Sequence, residues 1–368
     1  MKLFVRLSFI TLLLLEGISA SESLIEDDID GKIKEKKGIR TLLHTHQKEW
    51  EEAYNLKVIF SYMGFSQYET LSKTKATGDR IDFLAHYTLG EQFSLGMLLE
   101  QQWQIGEHGS TSFAKEIGAI NRLAPGFSDT GAYIRELWGE YKKDAFTLRA
   151  GIINSNSFID HSFYNSYANF FMSHASSSHS YGQVPMSSLG VGIKYTQPDY
   201  YINTVFSDAT GRLEDAVHDI REKDLDPYNG FEVGYTPGKD IYFINVWRKK
   251  NKKGEISYGT YLSLNKYIDP QNKVFAKLGV SRNSKTKNRF SFGWGHDNLL
   301  SSKDLFLAAF SSSQDPETDK YQNSYEFIYV YTLGYGMDVS ADLQIIQDPI
   351  DTGENWAVVP GIRFKVVF

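Results

Sequence analysis

At the C-terminus Ile362, Phe364, Val366 and Phe368 alternate with Gly361, Arg363, Lys365 and Val367, a period of two that confines charge to one face. The segment before it repeats the pattern, with Tyr335, Met337, Val339, Ala341, Leu343 and Ile345 on one side and Gly336, Asp338, Ser340, Asp342 and Gln344 on the other. One such strand fits a soluble half-buried sheet as well as a membrane sheet. Repetition favours the membrane, because segments of roughly eight to twelve residues, the length a tilted membrane strand needs, run through the whole chain. Sixteen are counted, near 54–65, 80–88, 93–103, 133–141, 145–151, 188–195, 200–207, 230–236, 240–247, 256–264, 273–281, 288–296, 304–311, 323–333, 335–345 and 357–368. The pattern does not fix which way 80–88 and 133–141 face.

The connections add a second regularity. Links after even strands are short, as at Leu89 to Gln92, Lys142 to Asp144, Thr196 to Asp199 and Pro237 to Lys239, whereas residues 104–132, 152–187 and 208–229 form long links after odd strands. Short periplasmic turns alternating with long external loops are the rule in transmembrane barrels. Two even links, Asn265 to Asn272 and Asp297 to Lys303, are longer than the rule prefers. An even strand count also brings both ends of the barrel to the same side.

The first residues set a compartment. Lys2 and Arg6 flank an apolar run from Leu7 to Leu15 that ends in Gly17, Ser19 and Ala20, the layout of a secretory signal peptide cleaved after Ala20. No later apolar run reaches the roughly 20 residues a membrane helix needs, which leaves a closed barrel as the way to satisfy the backbone in lipid. The expected organisation is therefore a signal peptide over 1–20, a polar periplasmic segment with a helix over 21–53, and an all-β transmembrane antiparallel barrel over 54–368. The polar segment carries the run Lys32, Lys34, Lys36 and Lys37, read as a solvated tail, and a helix-like stretch from Ile39 to Leu56.

Composition agrees with strands that have one lipid face and one wet face: 23 Tyr, 24 Phe and 30 Gly against 9 Pro, with no cysteine. The missing thiols exclude disulfides and thiolate chemistry, and a net charge of −6 argues against nucleic acid as a partner. Phe368 closes the last strand as an outward aromatic, and such an ending resembles the signal read by the outer-membrane barrel assembly machinery.

Several stretches, in order, carry a resemblance to the carbohydrate-selective porins typified by the glucose-inducible porin of pseudomonads. They are Glu136-Leu137-Trp138-Gly139-Glu140-Tyr141, Leu148-Arg149-Ala150-Gly151 leading to Phe163 and Asn169-Phe170-Phe171, then Pro185 ahead of Leu189-Gly190-Val191-Gly192. Gly230-Phe231-Glu232-Val233-Gly234-Tyr235, Gly259-Thr260-Tyr261, Tyr325-Glu326, Ala341-Asp342-Leu343-Gln344 before Pro349, and Gly361-Ile362-Arg363-Phe364 follow. The resemblance spans roughly residues 40 to 368 and implies passive transport of small sugars, with outer-membrane lipid around the barrel. The chain departs from the family pattern at Ala341 and over Ile345 to Ile350, differences that bear on solute preference more than on fold.

A barrel of this size needs a loop in its lumen to choose among small solutes. The best candidate is 152–187, which offers Asp160, His161, His174 and His179 with Phe158, Phe163, Tyr164, Tyr167, Phe170, Phe171 and Tyr181, groups that suit sugar hydroxyls and C–H faces or equally pin the loop to the wall. The histidine spacings lack the short pairing of common zinc motifs, so no metal and no cofactor is expected. Strand parity puts Arg149, Lys194, Lys277, Arg363 and Lys365 in the lumen with Glu326, Asp338 and Asp342, which either shape a transverse field or simply hydrate the wall. An enzyme embedded in a barrel would need a serine activated by a histidine, and His86 and His296 in their strands offer no convincing pair. An adhesive or structural barrel without sugar selectivity remains the alternative, and the outward aromatic face suits lipid or a second copy in a homo-oligomer.

Overall fold

Each period-two segment pairs with its neighbours in sequence. In the computed structural model sixteen antiparallel strands follow one another in chain order and the first closes on the last. The structure describes residues 48–124, 131–177, 181–185, 187–209, 226–250, 254–334 and 336–367. The strands are β1 (Leu56–Tyr68), β2 (Lys75–Leu89), β3 (Phe93–Ile105), β4 (Gly131–Lys143), β5 (Phe146–Ile153), β6 (Ser188–Thr196), β7 (Tyr200–Asp208) and β8 (Pro227–Tyr235). They continue as β9 (Ile241–Lys250), β10 (Ile256–Tyr267), β11 (Asn272–Arg282), β12 (Asn288–Asp297), β13 (Asp304–Gln314), β14 (Tyr321–Gly334), β15 (Met337–Gln347) and β16 (Trp356–Val367). The seam runs from Ser61↔Val367 to Gln67↔Gly361, so no strand is left with an unpaired edge.

All sixteen expected strands are present, and the differences lie at their ends. The second strand starts at Lys75, not near 80, because the polar stretch Lys75–Asp79 pairs with β1 across its whole length. The tenth runs on to Tyr267, which shortens the link expected from Asn265 to Asn272 to residues 268–271. A helix α1 covers 48–54 of the expected Ile39–Leu56 stretch, and Leu56 already belongs to β1. The signal segment, the lysine run, His179 and Phe368 lie outside the described residues.

The outward face is apolar and the inward face polar, the reverse of a soluble sheet core. On β9 to β12 the outward Ile244, Leu278 and Phe292 are half-exposed, while the inward Asn245, Ser263 and Ser291 are fully buried. Aromatic rings gather on the outward side near the short-turn end, where Phe93 meets Tyr141 at 4.9 Å and Tyr195 meets Tyr200 at 6.3 Å between centroids. Amphipathic rings at that level suit a membrane interface. No helix of the described residues is long and apolar enough to cross a membrane.

At the opposite end two long links turn into the barrel. The β3–β4 link carries a short helix α2 (Ser110–Glu116), and the β5–β6 link opens with a 3-10 turn at Ser155–Ser157.

Candidate functional site

What fills a barrel of sixteen strands decides what can pass. The β5–β6 loop leaves the wall at Asn154 and crosses the lumen, and buried polar groups on distant strands hold it there. Glu232 of β8 is its first anchor: the carboxylate accepts from the Asp160 amide at 2.5 Å, the Tyr201 hydroxyl at 2.8 Å and Asn245 at 3.2 Å, and lies 2.8 Å from His161 Nδ1. The Asp160 carboxylate accepts from Ser162, and the Phe163 amide donates to Asn265 of β10 at 2.8 Å. Asp160 and Tyr164 both sit at positive φ, which lets the chain reverse between these anchors.

Further along, Glu326 of β14 accepts from the amides of Met172 and Ser173 at 2.6 and 3.0 Å. Arg363 of β16 donates to the carbonyls of Tyr167 and Phe170 at 2.6 and 2.8 Å and to Ser340 at 2.9 Å. Lys365 donates to Asn169, and Ser311 of β13 to the Ala175 carbonyl. The β3–β4 loop packs behind it, with Leu123 O taking hydrogen bonds from Gln67 and Gln344 and Asn121 donating to Ser313.

Two apolar clusters complete the seal inside the barrel. One joins Phe113, Ile117 and Leu123 of the β3–β4 loop and Tyr164, Phe171 and Met172 of the β5–β6 loop to Phe275, Leu307 and Ile328 of the wall. The other joins Phe158, Ile159 and Tyr181 to Trp138, Tyr201, Tyr228, Trp247 and Tyr261. Of the charges expected in the lumen, Lys277, Glu326, Asp342 and Arg363 do face inward but are covered, each 5 % exposed or less. Asp342 accepts from Gln344 at 2.7 Å, and Lys277 lies 5.1 Å from the Phe275 ring centroid. The loop occupies the space water would otherwise fill beside them.

Water keeps access to the wall of β2 to β6. Arg80, Arg135 and Arg149 retain 11, 22 and 18 % side-chain exposure. Glu100 of β3 gathers three donors: Arg135, the Tyr133 hydroxyl and Gln102. Arg80 approaches the same carboxylate at 3.6 Å and pairs with Asp82 at 2.9 Å. One strand further, Arg149 pairs with Glu140 at 2.7 Å, and its guanidinium lies 3.9 Å from the centroid of the Trp138 ring. Lys194 sits 5.2 Å from the Phe158 ring, and Asp338 accepts from Thr332 at 2.7 Å.

The loop faces this strip with Tyr167, whose hydroxyl accepts from Arg80 at 3.0 Å, while His161, 32 % exposed, lies against Glu232 of β8 and Tyr201 of β7. Burial opposes ionisation of the Tyr167 phenol, but the flanking Arg80 and Arg135 outweigh it and hold its pKa below the ordinary value. His174 stacks on Tyr167, away from His161. His86 lies against Trp138 on β2, and His296 at the short-turn rim meets Asn272.

Sequence reasoning missed Arg80, Asp82, Tyr133, Arg135 and Trp138, on the two strands whose facing it left open, and Glu100 on the strand between them. A bulge between Leu98 and Leu99 shifts the register of β3 on β4, so Tyr133 and Trp138 both face inward although their spacing is odd. The i, i+2 pairs Arg80/Asp82 and Glu100/Gln102 are the signal that points to a shared face.

A closed sixteen-stranded barrel with a loop folded into its lumen defines the porin-type channel fold. Among solved structures the chain is similar to OprB of Pseudomonas putida, with a TM-score of 0.73 at 11 % identity over 89 % of this chain and 97 % of that one. It is also similar to engineered variants of the porin of Rhodopseudomonas blastica, one at a TM-score of 0.56 and 10 % identity over 85 % of this chain and 100 % of that one. No family model and no curated protein matches the sequence.

Proposed function

We propose that the chain is an outer-membrane porin of a Gram-negative bacterium that lets small hydrophilic solutes, carbohydrates foremost, diffuse along the strip between the inserted loop and β2 to β6. The observation that carries this reading is the division of the lumen: one side is packed by the loop, the other lined by hydrated charges beside Trp138, Phe158 and Tyr167. Such a lining hydrogen-bonds sugar hydroxyls and offers ring faces to their C–H groups. Arginine and carboxylate share the strip, which works against strong ion selectivity.

The likeness to OprB in fold and the sequence resemblance to carbohydrate-selective porins support the solute class. Export by the segment over 1–20, insertion by the assembly machinery reading Phe368, and lipid around the apolar outer face belong to the same reading.

Liposome swelling with sugars, amino acids and salts of graded size tests it. Sugars should enter faster than amino acids or salts of equal size. Rates that follow size alone would leave a general porin. A second reading, an adhesive or structural barrel, draws on the extent to which the loop seals β7 to β14, and no open channel in planar bilayers would establish it.

A further inference from the structure

Three cations meet at the long-loop mouth of the β12 wall, and among the described residues no carboxylate is set against them. Arg289, the second residue of β12, faces inward at 7 % exposure, and its Nε and Nη1 have no hydrogen-bond acceptor. Its guanidinium lies 5.7 Å from the centroid of the Tyr181 ring, a contact that leaves the in-plane N–H groups unused. Lys285 stands exposed in the link just before it.

Arg122 comes from the β3–β4 loop. Asn121 beside it donates at 3.0 Å to Ser313, the cross-strand partner of Arg289, and the Arg122 carbonyl accepts from His174 at 2.8 Å. These bonds fix the loop beside β12 and β13, and the Arg122 guanidinium is within electrostatic reach of both Lys285 and the Tyr167 phenol. Partial desolvation of its ammonium, then repulsion from Arg122 and Arg289, hold Lys285 below its ordinary pKa. A neighbouring carboxylate would have raised it. The ion pairs of the described residues involve none of the three.

A guanidinium nine-tenths out of water with free donors is costly unless something satisfies it. Water satisfies the donors but leaves three like charges facing one another, whereas an anion answers both needs. Tetrahedral oxyanions match guanidinium and ammonium donors best. We propose that Arg289, Lys285 and Arg122 form a binding site for a free inorganic oxyanion of the phosphate or sulfate class. Arg289 and Lys285 belong to the β11–β12 end of the wall, away from β2 to β6, and Arg122 reaches them from the β3–β4 loop. The site does not require the barrel to conduct, so its failure and that of the porin reading are separable.

The test is calorimetric titration of inorganic phosphate into the refolded full-length chain in uncharged detergent at fixed ionic strength. One saturable site per chain is expected. Arg289→Gln should weaken it about tenfold and Lys285→Gln several-fold, the loss of charge-assisted hydrogen bonds. Lys239→Gln, in the turn at the opposite end, should bind as the wild type does. Lys285 lies in an exposed link, so its variant answers the question even if Arg289→Gln fails to fold. No saturable heat with the wild type, or equal affinity in wild type and Lys285→Gln, would overturn the proposal.

Discussion

The strands β7 to β14 and the strands β2 to β6 share one alternating pattern, yet their inward faces end in opposite states. On the first set the inward Asn203, Glu232, Asn245, Ser263, Ser291 and Glu326 are buried under a loop, whereas on the second Arg80, Arg135 and Arg149 stay partly hydrated. Side-chain size explains much of the difference. A Cβ on Gly279 would lie 2.8 Å from the Tyr181 ring and one on Gly295 would lie 2.1 Å from the Tyr164 hydroxyl, so the β11–β12 wall receives loop aromatics only because it presents no side chain there. The β2–β4 wall presents long charged chains, which hold one another and leave room for water. The loop's buried anchors lie mainly on β8, β10, β13, β14 and β16, while on β2 to β6 it touches Arg80 and Gly192 and leaves the charged side chains partly hydrated.

The largest effect should come from freeing the loop. Replacing both Glu232 and Glu326 by Ala strips the acceptors from the amides of Asp160, Met172 and Ser173 and from Tyr201. Each buried donor left without an acceptor costs about 1–3 kcal/mol. Single-channel conductance should rise several-fold as the packed side opens; an unchanged value would mean that apolar packing alone holds the loop.

Gly295→Val probes that packing. Its side chain collides with Tyr164, which touches Phe171 and Phe275, and overpacking of this kind costs about 1–3 kcal/mol in thermal or denaturant unfolding. The outward Gly139, where an added Cβ would meet only Leu95 at 3.7 Å, is the comparison: Gly139→Ala should stay within about 0.5 kcal/mol of wild type.

On the hydrated side the balance reverses, with little stability at stake and more selectivity. Arg149→Gln loses a mostly buried pair with Glu140 but keeps a side chain that can hydrogen-bond it, so unfolding should change by about 1 kcal/mol. Removing one cation from the strip should shift the reversal potential in a salt gradient toward cation preference and slow sugar entry. No shift in either would place the solute path elsewhere.

The smallest signal is spectroscopic. Arg80 and Arg135 favour the charged phenolate of Tyr167, so ultraviolet titration should reveal a tyrosine ionising below the ordinary value of 10. Arg135→Ala removes part of that positive field, and the same transition should move to higher pH. Constancy would show that Tyr167 does not sit at the boundary between the two regions.

Much of the barrel was legible because period two is a local property. The strands from β5 onward, and the inward facing of Arg149, Lys194, Lys277, Glu326, Asp338, Asp342, Arg363 and Lys365, follow from alternation along single segments. The pattern failed at β2, whose polar start Lys75–Asp79 does not alternate visibly, and at β4, where the bulge opposite Leu98 and Leu99 breaks the parity. The charged cluster around Glu100 lies on those strands and the one between them, so its inward face could not be read.

The sequence by itself determined that the chain alternates, how often, and where its long links fall, because each depends on residues close together in the chain. Only the tertiary structure decided which half of the lumen the loop would close. That choice rests on contacts such as His161 with Glu232 and Met172 with Glu326, separated by 71 and 154 positions. Buried hydrogen bonds of this reach form only once the barrel has closed and brought its far wall opposite the loop.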